Sequence, residues 1–425
     1  MTSRRGFIKA GGLALFGIGL SGGIPGFLAD AVAGTTTPGL FKKKKILVCI
    51  FQRGAMDGLM AVTPFTDDYL KAARPGLFMT AAQGGKTKPL IDLDGKFGLH
   101  PAMSAFEPMF REKRMAIVHG IGSPNNTRSH FDAQDFMESG TPFNKGTDSG
   151  WLNRAVGLLG HDAATTPFQG VSLTSSLPRS FYGMNPAVAI KNLADFNIQL
   201  RGNQAGANMA SKSFEDLYDQ TSSGLLKNTG KESFDAIKML QKTDTKNYQP
   251  ENSAVYPASA LGNSLKQIAQ LIKMDVGMEV AFAESGGWDT HFNQGTETGI
   301  FARNVNDLSN SIMAFWNDMS RYQDDVTVMT MTEFGRTVAQ NGTGGTDHGR
   351  ASCNFILGNG VRGGLVHGVI NPLSKENLED GRDLAVTTDF RAVFSEVADK
   401  HLGIHNDKVL FPEWNGKQIG VMKSI

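Results

Sequence analysis

Apolar positions along this chain gather into short continuous runs, separated by longer segments with apolar residues at helical spacing. Residues 45–51 (KILVCIF) are apolar at almost every position, the pattern of a strand covered on both faces, since a half-exposed strand alternates. The same pattern returns at 114–120 (RMAIVHG), 168–173 (FQGVSL), 278–284 (MEVAFAE), 325–335 (DVTVMTMTEFG) and 353–358 (CNFILG). Residues 101–114, 259–275 and 298–322 predict helices, because their apolar positions recur every three or four residues. Residues 387–403 predict a closing amphipathic helix, opened by Thr388 and Asp389 as cap candidates. Strands alternating with helices predict an α/β fold with a three-layer α/β/α, mostly parallel sheet. Residues 176–256 break the alternation, being rich in Asn, Ser, Lys, Gly and Gln with two short helical patterns near 213 and 233. They predict a polar cap inserted over the carboxyl edge of the sheet.

Residues 1–33 stand outside this scheme. Arg4 and Arg5 precede a Gly/Leu/Ala run that is too short and glycine-rich to span a membrane. Ala31-Val32-Ala33 then offers small residues for cleavage. The segment resembles a twin-arginine signal peptide, which implies passage through the twin-arginine translocase, a periplasmic or extracellular address and no permanent membrane span. Residues 34–425 remain as the α/β domain. The whole chain carries +1; removing Arg4, Arg5 and Lys9 together with Asp30 takes away +2 and leaves −1. Near-neutrality gives nucleic acid no basic face to bind, and Lys42–Lys45 reads as a solvated entry to the first strand. Two cysteines exclude a disulfide framework. Cys49 and Cys353 both fall in strand-like runs and read as buried thiols, with a single bridge as the alternative in an oxidising compartment.

In an open α/β sheet, ligands collect outside the carboxyl ends of the strands, so the polar group that follows each strand matters. Asp57 follows the first, on a glycine-bounded turn; Ser129, His130 and Asp132 follow the second at a helix start. Asp289 and His291 follow the strand at 278–284 in GGWDTH, and Glu333 follows VTVMTMT, with Asp347 and His348 shortly after in GTDHG. Imidazole and carboxylate without thiolate suit zinc, manganese, calcium or magnesium, and two such ions close together form a clamp for in-line displacement at phosphorus. Plainer roles suit other polar residues. His119 reads as a strand cap, His100 as a structural hydrogen-bonding group before a proline-started helix, and His367, His401 and His405 as surface or packing residues. Asp132, Asp135 and Glu138 read as the polar, N-terminal face of a helix.

The ordered motifs RGAMDGL, GLHPAM, VHGIGSPNNTRSHFDAQD, GGWDTH, TEFGRT with the following GTDHG, and TTDFRAVFSEV resemble the bacterial DUF1501 family. That resemblance implies an exported protein with an alkaline-phosphatase-like fold, grouped with the alkaline phosphatase and sulfatase superfamily. It also implies two divalent metal ions, zinc before manganese, calcium or magnesium, held by Asp57, Asp289, His291, Glu333, Asp347 and His348 with His130 beside them. Thr127 and Ser129 in NNTRSHF are the hydroxyl candidates for a nucleophile at a helix N-terminus. Arg128 and Arg336 are the candidates for gripping an oxyanion bidentately. The Cys-x-Pro-x-Arg motif of formylglycine sulfatases is absent, and Asp-x-His stands where the superfamily has Asp-x-x-x-His.

The expectation is an exported metal-dependent hydrolase of a phosphate or sulfate ester, borne by a small molecule or a polymer. The alternative is a non-catalytic, metal-stabilised binding or envelope-assembly protein that keeps the fold. An exported oxidoreductase ranks behind both, because no G-x-G-x-x-G follows the first strand and no cysteine cluster is present.

Overall fold

The computed structural model describes residues 44–82, 88–160, 166, 168–193 and 248–423. The signal-peptide segment 1–33 and the two helical patterns near 213 and 233 lie outside the described residues. In chain order the strands are β1 (Ile46–Gln52), β2 (Val62–Pro64), β3 (Ile91–Asp92), β4 (Phe97–Leu99), β5 (Met115–Gly122), β6 (Gly170–Ser172), β7 (Val188–Ala189), β8 (Val280–Ser285), β9 (Val326–Met331), β10 (Ser352–Leu357), β11 (Leu365–His367) and β12 (Thr388–Asp389). The helices that matter below are α1 (His130–Ser139), α2 (Trp151–Leu158), α3 (Ala260–Lys273), α4 (Ile300–Asp318) and α5 (Phe390–Leu402).

Two compact units emerge. The larger comprises Lys45–Thr147, Pro250–Lys266 and Phe282–Ile425. Its sheet runs β11-β5-β10-β9-β1-β8, with β12 also on β5. β1 pairs parallel with β9, and β11 and β12 pair parallel with β5, whereas β10 is antiparallel to both β5 and β9. Every residue of β1, β5, β9 and β10 is buried, so both faces are covered and the near-continuous apolar runs follow. A small antiparallel sheet, β2-β4-β3, belongs to the same unit. The smaller unit comprises, among the described residues, Lys44, the described stretches of 148–249 and Gln267–Ala281. There β6 and β7 pair parallel and α2 buries Trp151, Leu152, Ala155 and Val156. β7 falls inside the stretch expected to be a cap, so the start of that stretch joins the parallel strand pattern.

The helices follow the apolar spacing. α4 buries Phe301, Val305, Leu308, Ile312 and Phe315, a stripe at three- and four-residue steps. α5 starts where the Asp389 carboxylate accepts the Arg391 amide and ends at Gly403 in the left-handed conformation, the cap chemistry its sequence carries. The helix expected over 101–114 is instead a 3-10 turn, Pro101–Phe106, followed by a short helix, Glu107–Arg111; Pro108 leaves no amide to continue a single ladder. Cys49 in β1 and Cys353 in β10 have β9 between them. Two strand spacings are about 9.5 Å, beyond the ~7 Å limit for a bridge, so both remain free thiols, and burial pushes their pKa values up.

Candidate metal centre

The antiparallel β10 decides where the chemistry sits. β9 ends at Met331, and the chain re-enters the sheet at Ser352 from the same edge. Everything between, including Glu333, Arg336, Asp347 and His348, therefore stays at the carboxyl rim of β9. The exits of β1 and β8 meet there too, since the Arg53 amide donates to the Ser285 carbonyl at 2.8 Å. Gly54 makes a close crossing, with φ of +114° and a would-be Cβ 2.6 Å from the Asp289 amide nitrogen. Any side chain there would push the GGWDTH segment away. Within that segment the extended backbone alternates. Trp288 is buried, its indole N–H donating to Ser285, and Thr290 is buried on Gln294, while Asp289 and His291 face the rim.

Three imidazoles and one carboxylate converge. His348 Nε2 lies 3.0 Å from His130 Nε2 and 3.0 Å from His291 Nε2. Asp289 Oδ1 lies 3.0 Å from His291 Nε2 and 3.2 Å from His348 Nε2, and Asp289 Oδ2 lies 3.5 Å from His130 Nε2. The other nitrogen of each ring is occupied: His130 Nδ1 donates to Glu333 at 2.8 Å, His291 Nδ1 to Asp347 at 3.0 Å, and His348 Nδ1 to the Arg128 carbonyl at 2.9 Å. Donation from Nδ1 leaves each neutral ring with its Nε2 lone pair aimed at the cluster.

That arrangement fits a cation. One Nε2 lone pair accepts one N–H, yet His348 Nε2 faces two further imidazole nitrogens and a carboxylate oxygen. A divalent ion draws together on His130, His348 and Asp289, whose ligand atoms all lie within 4.8 Å of one another, with His291 beside that set. With bonds of about 2.0–2.1 Å, adjacent ligands lie about 3.0 Å apart in an octahedron and about 3.3 Å apart in a tetrahedron; the 3.0 and 3.2 Å spacings of His348 to His130 and Asp289 match, and the 3.5 Å from His130 Nε2 to Asp289 Oδ2 is slightly wider. Imidazole-rich donors favour zinc and its transition-metal neighbours, whereas calcium and magnesium prefer all-oxygen sets. The ligand side chains are partly open, at 24% to 43% exposed, so one side of the cluster stays accessible.

The carboxylates behind the rings are tightly held. Burial alone would raise Glu333, but bonds from His130 Nδ1, the Gln134 side chain and the Gly54 amide outweigh it and keep its pKa low. Burial likewise opposes Asp289, and the Arg336 guanidinium at 2.7 Å overcomes it. The bond from Asn341, followed by that from His291, depresses Asp347. His130 is raised by its bond to Glu333, while burial lowers His348.

The candidate residues sort into those that meet and those that do not. His130, Asp289 and His348 form the mutually close set, and His291 adjoins it, 3.0 Å from His348 Nε2 and from Asp289 Oδ1. Glu333 and Asp347, expected as ligands, instead receive the Nδ1 protons behind it. Asp57, also expected as a ligand, is buried in a bidentate pair with Arg74 at 2.7 and 3.1 Å and accepts from Gln294 at 2.7 Å. Its oxygens are committed, and no second group of ligands forms around it among the described residues. Arg128 and Arg336, expected as oxyanion grips, are also committed: Arg128 to Asp380 and Asp383, and fully buried Arg336 to Asp289 and Thr346. Thr127 Oγ1 accepts the Ser129 amide at 3.2 Å. Ser129 caps α1 without a side-chain cap bond and is exposed, next in sequence to His130. The sequence reading missed Gln134, Arg74, Gln294 and Asn341. Gln134 carried a signal, one helical turn after His130; the others are brought in only by tertiary contacts.

The family model described as "Protein of unknown function (DUF1501)" matches residues 44–411. The chain belongs to the DUF1501 family. No curated protein matches it. Solved structures similar to this DUF1501 chain include the C-terminal periplasmic domain of EptC from Escherichia coli in complex with zinc, at 9% identity over 75% of this chain and 73% of that one, with a TM-score of 0.34. Alkaline phosphatase from the Antarctic bacterium TAB5 is similar at 11% identity over 75% and 93%, with a TM-score of 0.32. The lipoteichoic acid synthase LtaP from Listeria monocytogenes is similar at 10% identity over 94% and 81%, with a TM-score of 0.33. Among the described residues of this DUF1501 member, no helix is long and apolar enough to cross a membrane.

Proposed function

We propose that this DUF1501 protein is an exported, zinc-dependent hydrolase of phosphate or sulfate esters with one cation per site. The observation that carries the metal is the meeting of His130 Nε2, His348 Nε2 and Asp289, with His291 Nε2 adjoining and each ring locked by a proton donated from its far side. The ester class follows from the family resemblance of the ordered motifs, and export by the twin-arginine translocase from residues 1–33. When bound, the cation supplies positive charge against which negative charge on the reacting ester develops. The chain's own residues do the rest. His130, His348 and Asp289 hold the ion with His291 beside them; Glu333, Asp347 and the Arg128 carbonyl fix the rings. Ser129 presents a hydroxyl that is not spent on capping, at the first turn of α1, where free amides favour an anion. Arg336 orients Asp289 rather than the substrate.

One observation favours a second reading, a metal-stabilised binding or envelope-assembly protein. Both arginines expected to grip an oxyanion and one of the two candidate hydroxyls are already paired. Zinc content, measured on protein purified without chelator, combined with hydrolysis of an aryl phosphate and an aryl sulfate, decides between them. Zinc with turnover, abolished in Asp289→Ala, supports the hydrolase. Zinc without turnover supports the binding protein, and absence of bound metal removes both.

A further inference from the structure

Beside the cluster lies an arginine that the ester reading leaves unused. Arg382 Nη2 donates to the backbone carbonyl of His348 at 2.8 Å, and its Nε donates to Asp383 Oδ1 at 3.1 Å. Nη1 has no partner among the described residues, and the side chain is 46% exposed. Two N–H groups of Nη1 and one of Nη2 therefore remain, a fork suited to two oxygens of one anion.

Asp383 is fully buried, and a buried carboxylate is costly unless paired. Its second oxygen takes Arg128 Nε at 2.8 Å and Arg128 Nη2 at 2.5 Å. A single carboxylate thus pins two guanidinium groups. Arg128 is bonded to two acids, because Nη2 also reaches Asp380 at 2.7 Å, whereas Arg382 hydrogen-bonds only Asp383 among carboxylates and is the more exposed, at 46% against 26%. Both are tied to the ligand His348, Arg128 through its own carbonyl and Arg382 through that of His348. The backbone around the pair is fixed: the Arg382 carbonyl accepts the Val338 amide, its amide donates to Glu379, and Asp383 bridges Thr337. A guanidinium held at two points on a rigid loop loses little freedom when it meets a ligand.

We infer that Arg382, positioned by Asp383, is the oxyanion-binding residue of this site, recognising a tetrahedral oxyanion such as phosphate or sulfate. The inference rests on the ester reading above and names the specificity-determining group within it. It assigns to Arg382 the role that the sequence offered to Arg128 and Arg336.

The test is calorimetric titration of the full-length, zinc-loaded protein with inorganic phosphate and, separately, with sulfate, alongside zinc content and aryl phosphate turnover. Arg382→Ala is expected to weaken phosphate binding about tenfold or more with zinc content unchanged. Arg382→Lys is expected to recover part of that loss, since it returns the charge without the fork. Weakening of both anions supports a general tetrahedral-oxyanion site, and weakening of one supports a site built for that anion. Unchanged affinity in Arg382→Ala overturns the inference. So does loss of zinc in both variants, which would make Arg382 a structural tether, and so does a zinc-loaded wild type that binds neither anion. A zinc-replete wild type that binds phosphate through Arg382 but turns over no ester keeps the inference and removes the hydrolase reading.

Discussion

Asp289 touches all three imidazoles of the cluster and is itself gripped by Arg336, so its charge is the one least replaceable. Glu333 acts at one remove, and Glu333→Gln is expected to lower zinc affinity by about 10–100-fold while the fold survives, as is usual for a carboxylate behind a metal histidine. Competition against a chromophoric chelator measures it, and unchanged affinity would deny Glu333 an orienting role. Asp57 gives the opposite outcome. Asp57→Ala leaves Arg74 buried without its counter-charge and is expected to cost about 3–5 kcal/mol in urea unfolding, with the zinc content of the folded protein retained. Zinc lost together with Asp57 would return it to the ligand set. The spacing of Asp289 and His291 behind a strand made them legible as donors. Whether Glu333, Asp347 or Asp57 meets a cation, an imidazole N–H or a guanidinium was not legible, because a carboxylate looks the same in sequence whichever positive partner the fold delivers.

At the scale of elements, α1 shows how much a short periodicity achieves. His130, Gln134 and Glu138 recur at i, i+4 and i+8 on one face; the first two converge on Glu333, and Glu138 meets Arg53 at 2.6 Å. Asp132 and Asp135, expected with Glu138 on one polar N-terminal face, meet Lys145 and the Gly146 amide, whereas Glu138 is buried in the last turn, and its task of bracing the β1 exit was not readable from sequence. Gly54 is the other element-level determinant. Gly54→Ala is expected to destabilise the protein by ~1 kcal/mol or more, since its φ suits only glycine, and also to weaken zinc binding, because the added Cβ meets the Asp289 amide at 2.6 Å. Equal zinc affinity in the variant would show that the GGWDTH segment moves without disturbing its ligands. The reversal of β10 was invisible in its apolar run, which reads alike in either direction. It follows from a loop that leaves and re-enters the sheet at one edge.

At the scale of the whole molecule, metal and protons both act on stability. Saturation with zinc at about 100 times its dissociation constant is expected to raise stability by about 2.7 kcal/mol, and a metal titration is expected to end near one ion per chain. A plateau at two would require ligands beyond this cluster. His100, His119 and His401 are buried, and burial lowers each pKa to about 4. Each donates Nε2–H to a backbone carbonyl: Thr296, Val62 and Ile46 respectively. Their folded pKa values lie below the unfolded ~6.5. Their contribution is therefore complete above about pH 6.5 and is lost as pH falls towards 4, at up to ~1.4 kcal/mol per pH unit for each. Thermal unfolding at pH 7.5 and pH 5 checks the sign; equal stability would show that these rings are protonated in the fold. The sequence by itself determined the class of fold and the supply of donors, because double-sided burial imposes continuous apolar runs and strand exits expose whatever polar residue comes next. Only the tertiary structure decided which donors meet, since opposite charges pair by proximity in space: Arg74 claims Asp57, Arg336 and three imidazoles share Asp289, and buried Asp383 aligns Arg382 beside them.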